Sequence, residues 1–577
     1  MKNLLKYMKG YMKESIIAPL FKMLEASFEL IVPIVTARVI DIGIKNADKS
    51  YIWRQCILLI ILGIIGLVCA ITAQYFAAKA AFGFGTNLRT DLYKHINSLS
   101  YTELDTVGTP TLVTRITSDV NQVQTGVNLF LRLFLRSPFI VIGSVIMAMT
   151  ISLRMSVIFL ISVPLIGLVI FFIVKFTMPI YKKVQNMLDR VVLLTRENYE
   201  GARVVRAFRR QDSEKEEFTR TNDHLKKTQF KAGRISALMN PATYALANLA
   251  IIVILLAGGR QVNIGNLTQG EVIALVNYMN QTLLALIVLA NLVITVSRAW
   301  ASGIRVNEVF AVKSSMTAPE EKTMEDHSEA AVTFDHVTFA FAKAQAPSLT
   351  DINFTAKKGQ TIGIIGGTGS GKSTLVNLIP RFYDVTKGQV LVDGVQVTEY
   401  SFDRLRGKIG VVPQKSVLFR GTIRENMQWG KADATDDEIW KALTIAQAAD
   451  FVKEKGYGLD EPVATRGGNF SGGQRQRLCI ARALVRDPEV LILDDSSSAL
   501  DFATDAALRS AIRQGTKGMT TFIVSQRAAT VKSSDMILVL DDGKMAGMGT
   551  HEELMKDCVV YREICESQFS KKEVAGL

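Results

Sequence analysis

The residues with the clearest chemical potential form a short glycine-rich stretch in the second half of the chain. Its members are Gly366, Gly367, Thr368, Gly369, Ser370, Gly371, Lys372, Ser373 and Thr374, and the first eight match the pattern GxxxxGK[ST]. Glycines let backbone N–H groups curl around a phosphate, and a helix N-terminus favours the bound anion. An apolar strand is predicted before the stretch, at Thr361–Ile365, and a helix after it, at Thr374–Ile379. This context predicts a nucleotide-phosphate site in which Lys372 contacts the β- and γ-phosphates and the Ser373 hydroxyl binds Mg²⁺.

A pair of aspartates follows a second apolar run. Val490–Leu493 predicts a buried strand, and Asp494 and Asp495 come directly after it. A strand that delivers carboxylates at its C-terminal end suits Mg²⁺ chemistry at the mouth of a parallel sheet. Asp494 is the predicted metal ligand, either directly or through a water molecule.

The elements that position these residues belong to a chain with two contrasting halves. Its 577 residues are too many for one core. The hydrophobic content of 48% and the mean hydropathy of +0.21 come mostly from long apolar runs in residues 1–310, whereas the remainder has the composition of a soluble α/β domain. Apolar runs of about 20 residues in series require a bilayer. We therefore expect a transmembrane domain at 1–310, a polar linker at 311–330 and a nucleotide-binding domain at 331–577.

Six spans are predicted in the first half, at 15–43, 53–78, 128–152, 155–178, 240–260 and 270–300. Two long polar stretches between them, 79–127 and 179–235, keep helical patterning and predict that the membrane helices continue into the cytosol. The first span carries Lys22, Glu25, Glu29 and Arg38, which either line a translocation path or pair inside the bundle. The expected fold is an all-α six-helix transmembrane domain with cytosolic helical extensions, followed by an α/β P-loop ATPase domain.

The placement of charge distinguishes a membrane protein from a nucleic-acid-binding one. The net charge is +13, and fifteen Lys and Arg residues lie from Lys175 to Arg234, whereas the short turns after the third and fifth spans contain only Arg154 and Arg260. This asymmetry is the positive-inside pattern. It predicts a multi-pass protein of the inner or plasma membrane with a cytoplasmic nucleotide-binding domain, and no nucleic-acid partner. The five cysteines have neither metal nor disulfide spacing, which indicates a reduced compartment.

A third motif lies between the phosphate-binding stretch and the aspartate pair. It reads Phe470-Ser471-Gly472-Gly473-Gln474-Arg475-Gln476-Arg477 and is followed by Ala481-Arg482-Ala483-Leu484. Together with the strand that ends in Asp494, this motif resembles the signature of the ATP-binding-cassette (ABC) family. The resemblance covers nearly the whole chain, because six spans followed by one cassette is the layout of a half-exporter similar to bacterial multidrug and lipid exporters.

The resemblance implies roles for further positions. Phe341 lies where the family has an aromatic ring that stacks on adenine; a plain core phenylalanine is the alternative. Gln414 matches the Q-loop residue that senses Mg²⁺, so the implied metal ligands are Ser373, Gln414 and Asp494. Ser498-Ala499-Leu500-Asp501 matches the D-loop, which crosses the dimer interface in the family. Breaks in the polar stretches near 105–110 and 200–210 match the coupling helices that dock on the cassettes.

Three positions depart from the family pattern. Asp495 stands where the family has a catalytic Glu and is one methylene shorter, which matters because a displacement of about 1 Å can cost on the order of 10²-fold in rate. Gln526 stands in place of the switch-loop His and cannot carry a proton at neutral pH. Ala464-Thr465 replaces a Gly-Glu pair that exporters usually show before the signature.

These departures predict a site that binds ATP and Mg²⁺ but cleaves ATP poorly, with Asp495 and Gln526 as weak catalytic residues. Cassettes pair head to tail, so Ser471, Gly472, Gly473 and Gln474 are expected to complete the competent site of a second, non-identical half-transporter. We therefore interpret the chain as the degenerate half of a heterodimeric exporter of small amphipathic or hydrophobic substrates. Membrane lipid is expected to surround its transmembrane domain. The alternatives are a homodimeric exporter with two slow sites and a regulatory or channel-like protein gated by ATP.

Overall fold

The computed structural model describes residues 2–317, 319, 328–342, 344–496 and 500–568. The chain divides into two compact units, one formed by Met1–Asn97 and Pro110–Val312 and the other by Ser98–Thr109 and Lys313–Leu577. Within the predicted linker, 311–330, residues 318 and 320–327 lie outside the described residues.

The first half of the chain is helical. Its helices are α1 (Met12–Arg38), α2 (Lys49–Asn97), α3 (Tyr101–Val107), α4 (Thr109–Thr114), α5 (Val120–Leu133), α6 (Arg136–Ile151), α7 (Leu153–Glu200), α8 (Ala202–Ala207), α9 (Gln211–Ala237), α10 (Met239–Ile264) and α11 (Gln269–Ala311). A 3₁₀ segment, Lys2–Tyr11, precedes α1, and π-helical segments occupy Val39–Ile44 and Arg115–Asp119. The predicted breaks are confirmed, because α3 ends at Gly108 (φ 82°) and the short α8 follows Gly201.

Five helical stretches among the described residues are long and apolar enough to cross a bilayer: Lys49–Asn97, Thr109–Ile151, Leu153–Glu200, Gln211–Ile264 and Gln269–Ala311. They correspond to the second to sixth predicted spans, and α2 and α7 continue far beyond the apolar part, as predicted. The first predicted span, 15–43, is helical and covers most of α1 and the π-helical segment Val39–Ile44. It is not among these five stretches because it carries too many charged residues, namely Lys22, Glu25, Glu29 and Arg38.

Small side chains allow the helices of this unit to pack closely. Ala73, Ala77, Ala80 and Ala81 are buried on α2, whereas Ile60, Ile64, Leu67 and Ile71 of the same helix are exposed. Small residues at helix contacts and large apolar residues on the outside are typical of helices surrounded by lipid.

The second unit has an α/β architecture. Its strands are β1 (Ala330–Phe339), β2 (Leu349–Lys357), β3 (Thr361–Gly366), β4 (Lys387–Val392), β5 (Val395–Gln396), β6 (Ile409–Val412), β7 (Gly421–Thr422), β8 (Pro462–Val463), β9 (Val490–Asp494), β10 (Thr520–Val524), β11 (Met536–Asp541) and β12 (Lys544–Gly549). Its helices after α3 are α12 (Lys372–Leu378), α13 (Phe402–Lys408), α14 (Ile423–Gln428), α15 (Asp436–Ile445), α16 (Ala449–Lys453), α17 (Gly472–Leu484), α18 (Phe502–Gly515), α19 (Ala528–Val531), α20 (His551–Asp557) and α21 (Val559–Gln568).

The main sheet has the strand order β12-β11-β3-β10-β9-β6, and all neighbours except β11 and β12 are parallel. Its central strands β3, β9 and β10 are almost entirely buried and rich in Ile, Leu and Val, as parallel strands covered on both faces are. A second, antiparallel sheet has the order β2-β1-β4-β5. Helices α14 to α17 pack on a hydrophobic cluster that also includes Leu491 and Leu493 of β9 and Ile523 of β10.

Helix α3 belongs with this unit, although residues 98–109 fall inside the predicted transmembrane domain. Aromatic packing explains the assignment, since the Tyr101 ring lies 4.8 Å from that of Phe382 and 6.1 Å from that of Tyr383. The resemblance to the ABC family implies that the break near 105–110 docks on a cassette, and these contacts agree with that expectation, although composition alone gives no sign of them.

Candidate nucleotide site and signature helix

Four parallel strands end at one edge of the main sheet. β3 leads into the glycine-rich loop, β10 leads towards Gln526, β9 ends at Asp494, and β6 precedes Gln414. Because carboxyl ends of adjacent parallel strands meet at the same edge, the fold brings these sequence-predicted residues to one place. The register agrees, since Val524 lies opposite both Ile364 and Asp494.

The glycine-rich loop is held in a conformation that its composition permits. Gly369 and Gly371 have φ values of 85° and 94°, in the left-handed region that side chains disfavour. The Lys372 ammonium folds back over the loop and donates hydrogen bonds to the carbonyl oxygens of Gly366 (2.9 Å) and Gly367 (2.6 Å). Burial lowers the pKa of Lys372, while the neighbouring Asp495 and Asp494 act in the opposite direction. The loop therefore contains a cation positioned to exchange its carbonyl contacts for phosphate oxygens.

Ser373 and Asp494 form the part of the site that fits Mg²⁺. The Ser373 hydroxyl donates to Asp494 Oδ1 at 2.9 Å. Burial raises the pKa of Asp494, Asp495 raises it further, and the Ser373 hydrogen bond and Lys372 lower it. Within the described residues there is no cluster of three or more His, Cys, Asp or Glu side chains that could cage a metal. One hydroxyl and one carboxylate suit Mg²⁺, which usually takes its other ligands from phosphates and water.

Asp495 adopts the left-handed conformation, with φ at 47°. Its backbone N–H donates to the Val524 carbonyl at 3.0 Å, and its carboxylate accepts a hydrogen bond from the Gln414 side-chain amide at 3.4 Å. The structure thus brings Gln414 and Asp495 together. Gln526 is exposed, and its backbone carbonyl accepts from the Gln568 side-chain amide at 2.8 Å.

Phe341 is 38% exposed, which separates it from the buried phenylalanines of β1. Its ring packs edge-on against Tyr383, with ring centroids 5.3 Å apart. The Tyr383 hydroxyl donates to the Asp105 carboxylate of α3 at 2.7 Å. Burial and Asp105 raise the pKa of Tyr383. The accessible ring of Phe341 is compatible with base stacking, and the sequence offered no signal for Tyr383 or Asp105 beyond the aromatic pair Phe382-Tyr383.

The signature residues lie at the start of α17. Ser471 and Gln474 form a capping box: the Ser471 hydroxyl accepts from the Gln474 N–H at 3.2 Å, and the Gln474 side chain accepts from the Ser471 N–H at 3.0 Å. Ser471 is exposed, whereas the preceding Phe470 is buried in the cluster under α17. Gly472 and Gly473 are the first two residues of the helix. The signature is thus a rigid helix start with an exposed N-terminal face.

Two other predicted elements have evident structural roles. Asp501 caps α18 by accepting from the Thr504 N–H and hydroxyl, both at 2.8 Å, and the N–H bond is the main cause of its lowered pKa. Ser498 and Ala499 of the same predicted loop lie outside the described residues. Ahead of the signature, the Ala464 N–H donates to the Asn469 side chain at 2.9 Å, and Thr465 begins a short 3₁₀ turn.

Replacing Lys372 with Ala is expected to weaken ATP binding at this site by about tenfold or more, because a charged hydrogen bond contributes about 1.5–3 kcal/mol. Equilibrium binding of a fluorescent ATP analogue to the purified protein measures this. Lys358→Ala, which removes a lysine bonded to Asp393 away from the loop, is the control. Unchanged affinity in the Lys372 variant would refute the phosphate-binding role.

The fold and the site define a class of protein. A phosphate-binding loop on a parallel sheet, in one chain with helices long enough to span a bilayer, makes a membrane ATPase with a P-loop. Within this class, the model of the ABC transporter transmembrane region matches residues 15–286, and a model described as ABC transporter matches residues 349–498.

Similar proteins agree with this class. An uncharacterized ABC transporter ATP-binding protein of Mycobacterium tuberculosis is 36% identical, over 99% of both chains. An ATP-dependent lipid A-core flippase of Hahella chejuensis is 30% identical, over 90% of this chain and 89% of that protein. The solved structure of a bacterial Atm1-family ABC exporter with ATP bound has a TM-score of 0.82 at 23% identity, covering 97% of this chain and 99% of the other.

The chain belongs to the ABC transporter family. It is an ATP-driven transporter with the ABC exporter fold, a multi-pass membrane protein whose C-terminal ATP-binding domain is cytoplasmic.

Proposed function

We propose that this chain exports small amphipathic or hydrophobic substrates as one half of a heterodimeric ABC exporter. In this proposal its own site binds ATP with Mg²⁺ but hydrolyses it slowly, and Ser471–Gln474 complete the competent site of a different partner chain. The observation that carries the proposal is the pairing of an intact phosphate loop with Asp495 and Gln526 at the neighbouring strand ends.

The slow hydrolysis follows from the chemistry of these two side chains. The Asp495 carboxylate has a shorter reach than that of Glu and is already engaged by Gln414. Gln526 offers a hydrogen bond but no titrating group near neutral pH. Mg²⁺ held by Ser373 and Asp494 would neutralise charge on the phosphates. Lys372 and the loop therefore retain ATP, while no side chain at these positions both reaches and deprotonates the attacking water.

The partner requirement follows from the head-to-tail pairing of ABC cassettes. The phosphate loop follows β3, and the signature forms the exposed start of α17. In such a pair, a second chain faces each of them. The exposed start of α17 keeps the Ser-Gly-Gly-Gln residues of the family signature. It is therefore suited to complete a competent site whose phosphate loop the partner contributes. The Hahella relative, a lipid A-core flippase, supports an amphipathic substrate.

The composition of the native complex tests the heterodimer. This chain is tagged, extracted from its native membrane with its associated proteins, and weighed by native mass spectrometry. One copy of this chain with one copy of a different ABC half is the expected mass. A complex of two copies of this chain would contradict the heterodimer and favour a homodimeric exporter with two slow sites.

A further inference from the structure

A network of charged side chains joins α1 to α6 inside the first unit. Lys22 and Glu25 of α1 form an ion pair of 2.5 Å, and Arg136 of α6 lies 2.7 Å from the Glu29 carboxylate and 3.9 Å from that of Glu25. We call Lys22, Glu25, Glu29 and Arg136 the α1–α6 charge cluster. The nucleotide chemistry uses none of these residues.

The cluster lies at bilayer depth. Arg136 is the first residue of α6, and Ile151 is the last. At a rise of 1.5 Å per residue, about 22 Å of helix separates Arg136 from Ile151. Asp41, beyond α1, accepts hydrogen bonds from Thr268 and Gly270 at the α10–α11 turn. Glu29 is about 18 Å of helix away from Asp41 by the same rise. Since the hydrocarbon core is about 30 Å thick, both charges lie inside it, in the half nearer the cytosol.

The cluster faces away from lipid. At 100° per residue, Lys22, Glu25 and Glu29 share one side of α1, and the exposed apolar residues Leu20 and Leu24 lie on the opposite side. The side chains of Lys22, Glu25 and Arg136 are only 12–19% exposed, whereas that of Glu29 is 40% exposed. Glu29 is therefore the member of the cluster that a ligand inside the bundle can reach.

Polar atoms beside Glu29 lack partners among the described residues. The Gln281 side chain of α11 donates to the Glu29 backbone carbonyl at 3.3 Å, but its own amide oxygen is buried and accepts no hydrogen bond. The Nε of Arg136 is likewise buried without a hydrogen-bond partner. A buried polar atom without a partner is costly, especially where no water replaces it. The Gln281 side chain contacts the Glu29 backbone and has an amide oxygen without a partner in the described part of the chain. Together with the accessible Glu29 carboxylate, it suits a ligand that is both cationic and rich in N–H donors.

We infer that Glu29 and Gln281 bind the ammonium or guanidinium head of a cationic amphiphile, and that Arg136 is the internal counter-ion that occupies Glu29 in the absence of substrate. The inference rests on the proposed export function and specifies its substrate class. When a head group enters, its cation replaces Arg136 as the partner of Glu29. The Glu29 carboxylate therefore keeps a positively charged partner in the low-dielectric interior. The apolar tail is left to the hydrophobic surroundings of the bundle.

Binding without nucleotide tests this inference separately from ATP hydrolysis. The full-length protein, in phosphatidylcholine nanodiscs, is titrated with a dansyl-labelled long-chain primary amine and with the matching dansyl-labelled fatty acid. Glu29→Gln is expected to weaken amine binding by about tenfold, the value of one charged hydrogen bond, and to leave acid binding unchanged. Arg136→Gln is expected to strengthen amine binding several-fold, since Glu29 then has no internal competitor.

Glu14→Gln is the matched control, because Glu14 forms a comparable ion pair from α1 to Lys79 of α2, at 3.0 Å, outside the cluster. It should change neither titration. Equal loss of both probes in Glu29→Gln, or weaker amine binding in Arg136→Gln, would show that the cluster only holds α1 against α6 and would overturn the inference. Either outcome leaves the proposed heterodimer and its slow ATP site untouched, since no nucleotide is present.

Discussion

The double substitution Asp495→Glu with Gln526→His is expected to accelerate ATP hydrolysis at this chain's own site by at least tenfold. The first change extends the reach of the carboxylate by one methylene, and the second supplies a side chain that titrates near neutral pH. General acid–base catalysis is typically worth about 10²–10⁴-fold, which sets the upper limit.

We expect a gain below that limit for two physical reasons. Asp495 has a φ of 47°, a conformation that Asp adopts more readily than Glu, so part of the added reach is offset by backbone strain. Ala464 and Thr465 also remain different from the family pattern ahead of the signature.

The measurement is single-turnover hydrolysis in the complex after the partner's site has been disabled at its own general base. Asp487→Glu is the control, because Asp487 is likewise left-handed (φ 53°) but lies before β9, at its opposite end. If the wild-type site already hydrolyses ATP at the full rate of the complex, Asp495 and Gln526 are adequate catalysts and the chain is a competent half.

Ser471→Arg is expected to reduce the ATPase activity of the intact complex to near background, and Lys372→Ala to reduce it much less. Arginine at the exposed start of α17 places a long cation where the partner's ATP would meet the helix N-terminus, and it removes the hydroxyl of the capping box. Loss of such a cap costs about 1 kcal/mol, so the helix itself is expected to persist.

Steady-state ATPase activity of the two variants, purified with the same partner, gives the ranking. Ser471→Thr, which keeps the capping hydroxyl, is the control and should retain most activity. The reverse ranking, with Lys372→Ala the more damaging change, would place the main hydrolytic site on this chain.

The local elements of the nucleotide site were predictable because their signals are local. The strand predicted at Thr361–Ile365 is β3, and the strand predicted at Val490–Leu493 is β9, which extends to Asp494. Buried parallel strands are continuous apolar runs, and a glycine-rich loop between a strand and a helix has few other conformations. The parallel order of these strands then brings Gln414 to Asp495, which no spacing in the sequence specifies.

Contacts between distant segments were not predictable in the same way. Helix α3 lies within the predicted transmembrane domain, 1–310. Its Tyr101 nevertheless packs on Phe382, and its Asp105 accepts a hydrogen bond from Tyr383. From the sequence alone, the charged residues of α1 fit either a translocation path or a structural pairing inside the bundle. Their partner, Arg136, begins a helix more than a hundred residues later, and only the fold shows that it reaches Glu29.

The most direct test of the degenerate half-site is the ATPase activity of this chain purified alone, compared with the same chain co-purified with its native partner half-transporter. We expect background activity for this chain alone and full, substrate-stimulated activity for the pair. Activity of this chain alone that equals that of the pair would contradict the degenerate half-site.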